Sequence, residues 1–198
     1  VQTCALPIFF TNLPKILAEE LDVDFTKVEC KLPYGDAKAL GIGGRQTIGG
    51  STSTLGYYPM LRKAGAAARE MLVTAAAAQW KVPAEQCRAV QGRVIHDLSE
   101  RVLTYGQLAT AAAKLPVPQA PKLKAAADFK LIGQTVLRKD TPAKVDGSAE
   151  FGGDVKLPGI IGAAVVMAPR AGATVASFDE ASLKGLKGII KVIPLDRK

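Results

Sequence analysis

The sequence has 198 residues, of which 48% are hydrophobic and 22% charged, so it can build a core in one domain or in two small ones. Lys and Arg (26) exceed Asp and Glu (18), and the net charge of +8 makes nucleic acid, anionic lipid or a phosphorylated ligand candidate partners. Cys4, Cys30 and Cys87 form no CxxC pair, which excludes a zinc knuckle, an iron–sulfur ligand set and a disulfide framework, and no apolar run reaches the ~18 residues of a membrane span.

Residues 1–8, VQTCALPI, stand apart from the rest of the chain. They back-translate to GTT CAG ACG TGT GCT CTT CCG ATC, which matches part of a common short-read sequencing adapter. We therefore exclude them from fold reasoning as an artefact. We expect the protein's own chain to begin near Phe9 or Phe10, already inside a structural element, and to be an internal piece of a larger protein.

The first predicted element is a helix that begins at Thr11 and is ended by residues 22–24. Its acidic residues Glu19 and Glu20 are expected to face solvent. The opposite, apolar face carries Leu13, Ile16, Leu17 and Leu21. The next segment, 25–32, alternates like a strand, and its candidate inward positions are Phe25, Val28 and Cys30.

A second, alanine-rich helix is predicted from Tyr57 to Trp80. Small residues along one side would allow another backbone to approach closely, which favours a helix packed inside a large protein. This side consists of Leu61, Gly65, Ala68, Leu72, Ala75 and Ala76. After a short break, a strand is predicted to begin at Cys87, and helix, turn and strand together indicate an α+β fold.

The residues after this strand predict a hairpin followed by a short helix at 105–114. In the hairpin, Val94 and Ile95 are expected to face Val102 and Leu103 across a polar turn. His96 lies in this hairpin and is the single histidine, so a serine nucleophile would have no other histidine base. We expect His96 to be structural or merely exposed.

Residues 114–129 are rich in proline and predict either a linker or a strap lying along a surface. They mark the best candidate boundary between a first region, 9–113, and a second region, 130–198. In the second region the apolar runs at 159–168, 174–179 and 189–195 predict strands, and 180–186 predict a short helix. This order indicates a second compact α+β unit.

The loop at 43–54 combines glycine with hydroxyl side chains. Backbone N–H groups approach an anion closely where side chains are absent, as at Gly49 and Gly50, and a following helix adds unpaired donors. Arg62 and Lys63 lie near that helix start and would help to hold a phosphate. A flexible loop whose last Thr or Ser caps the helix stays an alternative. The dinucleotide fingerprint fails at Gln46, and the P-loop pattern fails at Gly50, where its lysine should stand.

The stretch from Gln46 to Trp80, QTIGGSTSTLGYYPMLRKAGAAAREMLVTAAAAQW, resembles the molybdopterin-binding large subunit of the xanthine dehydrogenase and aldehyde oxidase family. The isoquinoline 1-oxidoreductase beta branch looks closest. The segment 129–166, FKLIGQTVLRKDTPAKVDGSAEFGGDVKLPGIIGAAVV, independently resembles the beginning of that family's α/β-hammerhead domain. The resemblance therefore implies part of a molybdopterin-binding lobe at 9–113, a linker at 114–129 and the start of a hammerhead domain at 130–198.

The resemblance implies a fragment of a molybdenum hydroxylase, which hydroxylates an N-heterocycle or an aldehyde with water as the oxygen source. Electrons would leave through iron–sulfur clusters on a partner small subunit. The cofactor would be a molybdenum-bound molybdopterin, in its cytosine dinucleotide form, whose chemistry the protein positions rather than supplies. The residues that match its phosphate-binding loop are Gln46, Gly49, Gly50, Ser51, Thr52, Ser53 and Thr54.

Two family features are absent from the sequence. A Gly-Gln-Gly cofactor loop should lie just before Thr11, and the family's catalytic glutamate belongs to a segment beyond Lys198. We therefore expect no catalytic residue and no metal ligand in this chain, and no activity from it alone. The family suggests a periplasmic location with a membrane-linked electron acceptor, while a cytoplasmic location stays open.

Two other hypotheses compete with the enzyme. A small basic module could bind nucleic acid or another polyanion through its positive charge, although the basic residues are scattered and no aromatic stripe alternates with them. A non-catalytic scaffold descended from the enzyme would contain no metal. The family resemblance favours the enzyme and no nucleic acid.

Overall fold

The computed structural model describes residues 5–31, 52–167, 169–170, 172–183 and 185–195. Its contacts divide the chain into two compact units, Val1–Ala149 and Glu150–Lys198. The first unit contains, in chain order, α1 (Ala5–Leu21), α2 (Ser53–Trp80), β1 (Cys87–Val90), β2 (Arg93–His96), β3 (Arg101–Thr104), α3 (Tyr105–Ala112) and α4 (Thr141–Val145). The described residues thus mix helix and strand.

Helices α1 and α2 pack closely because α2 presents small side chains to α1. A Cβ added at Gly65 would lie 2.7 Å from the Leu17 carbonyl oxygen and 2.8 Å from the Glu20 Cβ, so only glycine fits at this crossing. Gly65, Leu72, Ala75 and Ala76 are buried as predicted. Leu61 and Ala68, assigned to the same side, are only half-buried because the buried stripe runs through Ala66 and Ala67 instead.

The three strands form an antiparallel sheet in the order β1, β2, β3. The predicted hairpin is confirmed, since Val94 pairs with Leu103 and Ile95 with Val102. A two-residue turn joins β1 to β2 with positive φ at Gln91 (46°) and Gly92 (80°), as a tight hairpin requires. The Gly92 N–H donates to the Asp22 carbonyl oxygen over 2.8 Å, and this bond holds the turn against the end of α1.

The core of the first unit lies where α2 meets the sheet and α3. Its buried members are Leu72, Ala75, Ala76, Val94, Leu108 and Ala112. Helix α3 begins with a capping box, in which Thr104 and Gln107 each bond the other's backbone N–H. The Tyr105 hydroxyl donates to the Leu21 carbonyl oxygen over 2.7 Å, and burial raises the pKa of this phenol. These contacts tie α1, the sheet and α3 together.

The predicted strand at 25–32 is wrong in its described part, 25–31. Residues Phe25–Lys27 form a 3₁₀ turn, because the Asp24 carboxylate accepts hydrogen bonds from the Thr26 N–H (3.0 Å) and hydroxyl (2.6 Å). This local bonding competes with a strand ladder. Phe25 is nevertheless buried, as its inward assignment required.

The segment 114–149 belongs to the first unit, and its central residues 122–132, which we call the strap, lie along α1 and α2. Lys122 and Lys124 bond side chains of both helices through their backbone groups. Of the two alternatives for 114–129, the structure therefore supports a strap on a surface. The units separate at Ala149 and Glu150, and the assignment of 9–113 and 130–198 to two family domains stays a prediction.

The second unit contains, within its described residues, only the 3₁₀ turns Gly152–Asp154 and Ala181–Leu183 as regular structure. The predicted helix at 180–186 shortens to the second turn, which the Asp179 carboxylate holds through the Ala181 and Ser182 N–H groups. The predicted strands at 159–168, 174–179 and 189–195 are wrong for their described residues. A strand needs a neighbour for its backbone groups, and none pairs with these segments in the part of the chain described.

Candidate functional site

The predicted phosphate-binding loop falls only in part on described residues. Gln46, Gly49, Gly50 and Ser51 lie outside them. Thr52, Ser53 and Thr54 are described and lie at the beginning of α2, which starts at Ser53 rather than at the predicted Tyr57. Ser53 and Thr54 therefore belong to the first helical turn rather than to the preceding loop.

The described part of the loop forms the N-terminus of α2. Thr52 is the N-cap residue, with φ −102° and ψ −11°, and its side chain makes no capping hydrogen bond to the first turn. Its carbonyl oxygen accepts the Gly56 N–H over 2.8 Å, so the 28-residue helix is regular from its first turn. The first N–H groups of such a helix have no intrahelical acceptor and carry its positive dipole end. Ser53, at 7% exposure, lies close to the protein interior.

The sequence assigned Arg62 to the same phosphate, and the structure places it elsewhere. Its Nε and Nη2 atoms lie 2.7 and 2.6 Å from the Glu20 Oε1 atom, and Nη2 also donates to the Lys124 carbonyl oxygen over 2.6 Å. The guanidinium stacks on the Phe129 ring at 5.0 Å from its centroid. Through these contacts Arg62 connects α1 to the strap. Lys63, the other basic residue assigned to the phosphate, is exposed.

Glu20 is the centre of a buried ionic cluster. Its side chain has no exposed surface, and besides Arg62 it contacts Arg69 Nη1, 3.3 Å from Oε2. The Lys124 N–H donates to the same Oε2 atom over 3.0 Å. Arg69 then donates to the Lys122 carbonyl oxygen over 2.6 Å. A buried carboxylate without such partners would be strongly unfavourable, so the cluster exists only because the strap completes it.

Glu19 occupies a pocket of backbone N–H groups. Its Oε2 atom accepts from Lys130 (2.9 Å), Leu131 (2.6 Å) and Ile132 (2.9 Å). Lys124 Nζ lies 3.3 Å from its Oε1 atom. Burial by itself raises the pKa of Glu19, but the hydrogen bonds from Ile132, Leu131 and Lys130 outweigh it and hold the pKa below its ordinary value. The residue is therefore a charged anchor for the strap.

Sequence reasoning missed this cluster, because it turned both glutamates toward solvent. Glu19 and Glu20 are 1% and 0% exposed, respectively, in the folded chain. The face of α1 that looked solvated is the face that the strap covers. A signal was present: two adjacent acids in a helix, followed more than 100 residues later by the basic residues Lys122, Lys124 and Lys130.

His96 is structural, as expected. It is buried, with Ser99 Oγ 2.7 Å from Nδ1 and Gln86 Oε1 3.1 Å from Nε2. Its ring lies 6.3 Å from that of Trp80. Both ring nitrogens thus have protein partners, and these contacts hold the buried ring in place.

The two described cysteines, Cys30 and Cys87, are half-buried and unpaired, and burial raises the pKa of both thiols. Their reactive thiolate form is thereby disfavoured. Within the described ranges no group of His, Cys, Asp or Glu is arranged to hold a metal ion. Among the described helices, none combines the length and the apolar character that crossing a bilayer requires.

A cavity of about 550 Å³ lies between the end of α1 and residues 130–142. Its walls include Phe25, Leu131 and Leu137, and its charged groups are already engaged. Lys139 Nζ, for example, donates to the Thr26 carbonyl oxygen over 3.0 Å and lies 4.7 Å from the Phe25 centroid.

The chain is similar along nearly its whole length to three oxidoreductases. It is 34% identical to the beta chain of isoquinoline 1-oxidoreductase from Brevundimonas diminuta, over 93% of this chain and 28% of that protein. It is 32% identical to nicotinate dehydrogenase B of Pseudomonas putida, over 92% of this chain and 16% of that protein. It is 29% identical to a membrane-bound aldehyde dehydrogenase (pyrroloquinoline-quinone) of Gluconacetobacter polyoxogenes, over 94% of this chain and 24% of that protein. No protein-family model matches the chain.

Proposed function

The chain belongs to the molybdopterin-binding large subunits of the xanthine dehydrogenase and aldehyde oxidase family, and we propose that it forms part of a molybdenum hydroxylase. The matches over more than 90% of the chain confirm the resemblance that its motifs indicated. The chain spans only 16–28% of the length of these relatives. Activity, substrate and partners are therefore proposed for the whole protein.

In this proposal the loop from Gln46 to Thr54 binds the phosphates of the pterin cofactor. The observation that supports it is the position of Thr52, Ser53 and Thr54 at the beginning of a long helix, where N–H groups and hydroxyls favour an anion. These residues bind and orient the group. When bound, the molybdenum pterin supplies the two-electron redox chemistry, and the cytosine dinucleotide is the form proposed.

The proposed reaction hydroxylates an electron-poor carbon of an N-heterocycle or an aldehyde. Water supplies the oxygen, and the reaction balances as R–H + H₂O giving R–OH, two protons and two electrons. The electrons pass to iron–sulfur clusters on a partner small subunit, and from there to an acceptor that is membrane-linked. A periplasmic location belongs to the same proposal, and the catalytic glutamate is proposed to lie outside this chain.

The third relative's name carries a different prosthetic group, pyrroloquinoline quinone. This quinone is a tricarboxylate without phosphate, so a phosphate-binding loop would have no role toward it. Chemical analysis of the purified protein, rather than its sequence, therefore distinguishes a molybdenum pterin from pyrroloquinoline quinone as its cofactor.

The experiment is a cofactor analysis of the complete subunit with its partner. We expect molybdenum and a pterin in equal amounts, and release of cytidine monophosphate after acid hydrolysis. Replacement Thr52→Val should weaken cofactor retention by about 10-fold or more, since a hydrogen bond to a charged group is removed. Thr74→Val, an exposed threonine on the same helix, should leave retention unchanged. Quinone without molybdenum, or neither cofactor, would refute the proposal.

The alternative, a basic module for polyanions, is not favoured by any observation. Arg62, Arg69 and Lys124 are already paired with buried carboxylates. Salt-dependent binding of the complete subunit to nucleic acid or anionic vesicles would revive it.

A further inference from the structure

Apart from one 3₁₀ turn, Ala126–Asp128, the strap (residues 122–132) is held by side chains of other elements. Glu20 and Glu70 accept the N–H groups of Lys124 (3.0 Å) and Lys122 (2.5 Å). Arg62 and Arg69 donate to the carbonyl oxygens of the same two lysines over 2.6 Å. The strap backbone is thus satisfied at both residues by α1 and α2 alone.

The second anchor lies further along the strap. The Glu19 carboxylate accepts the N–H groups of three consecutive residues, 130–132, with the shortest bond at 2.6 Å. Between the two anchors, Phe129 lies against the Arg62 guanidinium, 5.0 Å from it. Two neighbouring carboxylates of α1 therefore grip both ends of the strap, and no buried polar side-chain atom among the described residues is left without a partner.

We propose that Glu19 and Glu20 form a carboxylate clasp that docks the strap and, through Arg62 and Arg69, positions the first turns of α2. This rests on the proposed function, since Thr52, Ser53 and Thr54 lie at the beginning of α2. Arg62 follows Ser53 by about two and a half helical turns. Its guanidinium is fixed by α1 on one side and by the strap on the other, so α2 cannot shift along α1 without breaking the cluster.

Loss of the clasp leaves two guanidinium groups without their carboxylate. In Glu20→Gln the side chain keeps its size but loses its charge and one acceptor oxygen, so it cannot satisfy both Arg62 and Arg69, which are 15% exposed. We therefore expect the strap and the start of α2 to open locally while the sheet and α3, which do not touch Glu20, stay closed. Glu20→Asp keeps the charge and should behave between Glu20→Gln and the natural protein.

The test is hydrogen exchange by mass spectrometry on the complete subunit. In Glu20→Gln, peptides covering 122–132 and 53–61 should exchange about tenfold or more faster, because a charged buried hydrogen bond is lost. Peptides covering 87–104 should be unchanged. The matched control is Asp97→Asn, which breaks the exposed bidentate pair with Arg88 (2.6 and 2.8 Å) and should affect neither region.

A second variant keeps the test decisive where Glu20→Gln does not fold. Glu19→Gln retains one acceptor oxygen and should open 130–132 with a smaller effect on 53–61. Unchanged exchange of the strap in both variants overturns the clasp, and an opened strap with an unchanged 53–61 overturns the positioning of α2.

Pterin retention tests whether the clasp acts on the proposed cofactor site. Under the proposal, Glu20→Gln loses the pterin several-fold faster than the natural protein, and Glu20→Asp restores part of the retention. Equal retention in a variant whose α2 has opened contradicts the proposed positioning. A natural subunit that contains no pterin refutes the proposed function, while the exchange of 53–61 still measures the clasp.

Discussion

The first unit and residues 150–195 place charged and apolar side chains in opposite ways. In the first unit, two carboxylates of α1 are almost fully buried, while in the second region Val166 is 94% exposed and lies among many other exposed apolar side chains. The glutamates are buried because the strap and two arginines satisfy them. The apolar side chains are exposed because, within the described residues, no layer packs on them. Burial in this protein therefore follows the available partners rather than the residue type.

The largest expected difference in stability between the two regions comes from replacing one leucine by alanine in each region. Leu108 is fully buried and Leu157 is 62% exposed. Leu108→Ala should lower the free energy of opening by about 2–5 kcal/mol, because a cavity remains in the core. Leu157→Ala should change it by less than about 0.5 kcal/mol. Native-state hydrogen exchange in 87–112 and 150–166 of the complete subunit measures both, and a similar loss at Leu157 would show that the second region is covered.

A smaller effect is expected at the crossing of α1 and α2. Gly65→Ala pushes a methyl group onto the Leu17 carbonyl and the Glu20 Cβ and should cost about 1–3 kcal/mol, since backbone atoms cannot yield easily. Gly56→Ala on the same helix meets nothing within 4 Å and should stabilise it by about 0.5–1 kcal/mol. Urea-dependent hydrogen exchange of the α2 peptides measures the stability of both variants. Equal effects of the two substitutions would mean that α1 and α2 do not approach as closely as in this structure.

The pH dependence of strap docking tests the Glu19 carboxylate directly. The pKa of Glu19 is held below its ordinary value of 4.5 by backbone hydrogen bonds that outweigh burial. Its contribution to stability is therefore present above that value and is lost as the pH falls through the lower folded pKa. Hydrogen exchange of the backbone amides of residues 122–132 should speed up in acid by more than the pH dependence of the intrinsic exchange rate explains. This additional increase should be smaller in Glu19→Gln. Identical acid profiles in the two proteins would exclude Glu19 as the titrating anchor.

The least perturbing test uses the natural methionines and changes no residue. Met167 is highly exposed, whereas Met71 packs against the core of the first unit. Dilute hydrogen peroxide should therefore oxidise Met167 before Met71, as peptide mapping of the complete subunit would report. Oxidation of Met71 before Met167 would mean that another part of the complete protein covers the second region. The difference in exposure between the two regions would then be smaller than described above.

Local signals in the sequence were sufficient for the segment from α2 to α3. Alanine-rich periodicity predicted α2 and its contact with another backbone, and alternation with a polar turn predicted the pairing of Val94 with Leu103. The family followed from motifs that the relatives confirm. Of the candidate site, Thr52, Ser53 and Thr54 lie at the beginning of α2. Gln46, Gly49, Gly50 and Ser51 lie outside the described residues, and phosphate binding by all seven stays a prediction.

Long-range contacts could not be predicted in this way. Glu19 and Glu20 lie more than 100 residues from the strap that covers them. The helical periodicity of α1 places both residues on its polar face, but it does not tell whether solvent or another chain segment contacts that face. The partner of Arg62 could not be predicted from local sequence either. Its position near the start of a helix suggested a phosphate as its partner, whereas in the structure it pairs with Glu20.

The sequence by itself determined the elements whose bonds close within a few residues, together with the family, because helical periods, turns and motifs are local properties. Only the tertiary structure decided which side chains are buried: a carboxylate is stable inside the protein once donors from distant segments surround it, and an apolar run forms a strand once a neighbour pairs with it. Those conditions depend on chain segments meeting in space, and the residue pattern of one segment does not by itself specify which distant segment will cover it.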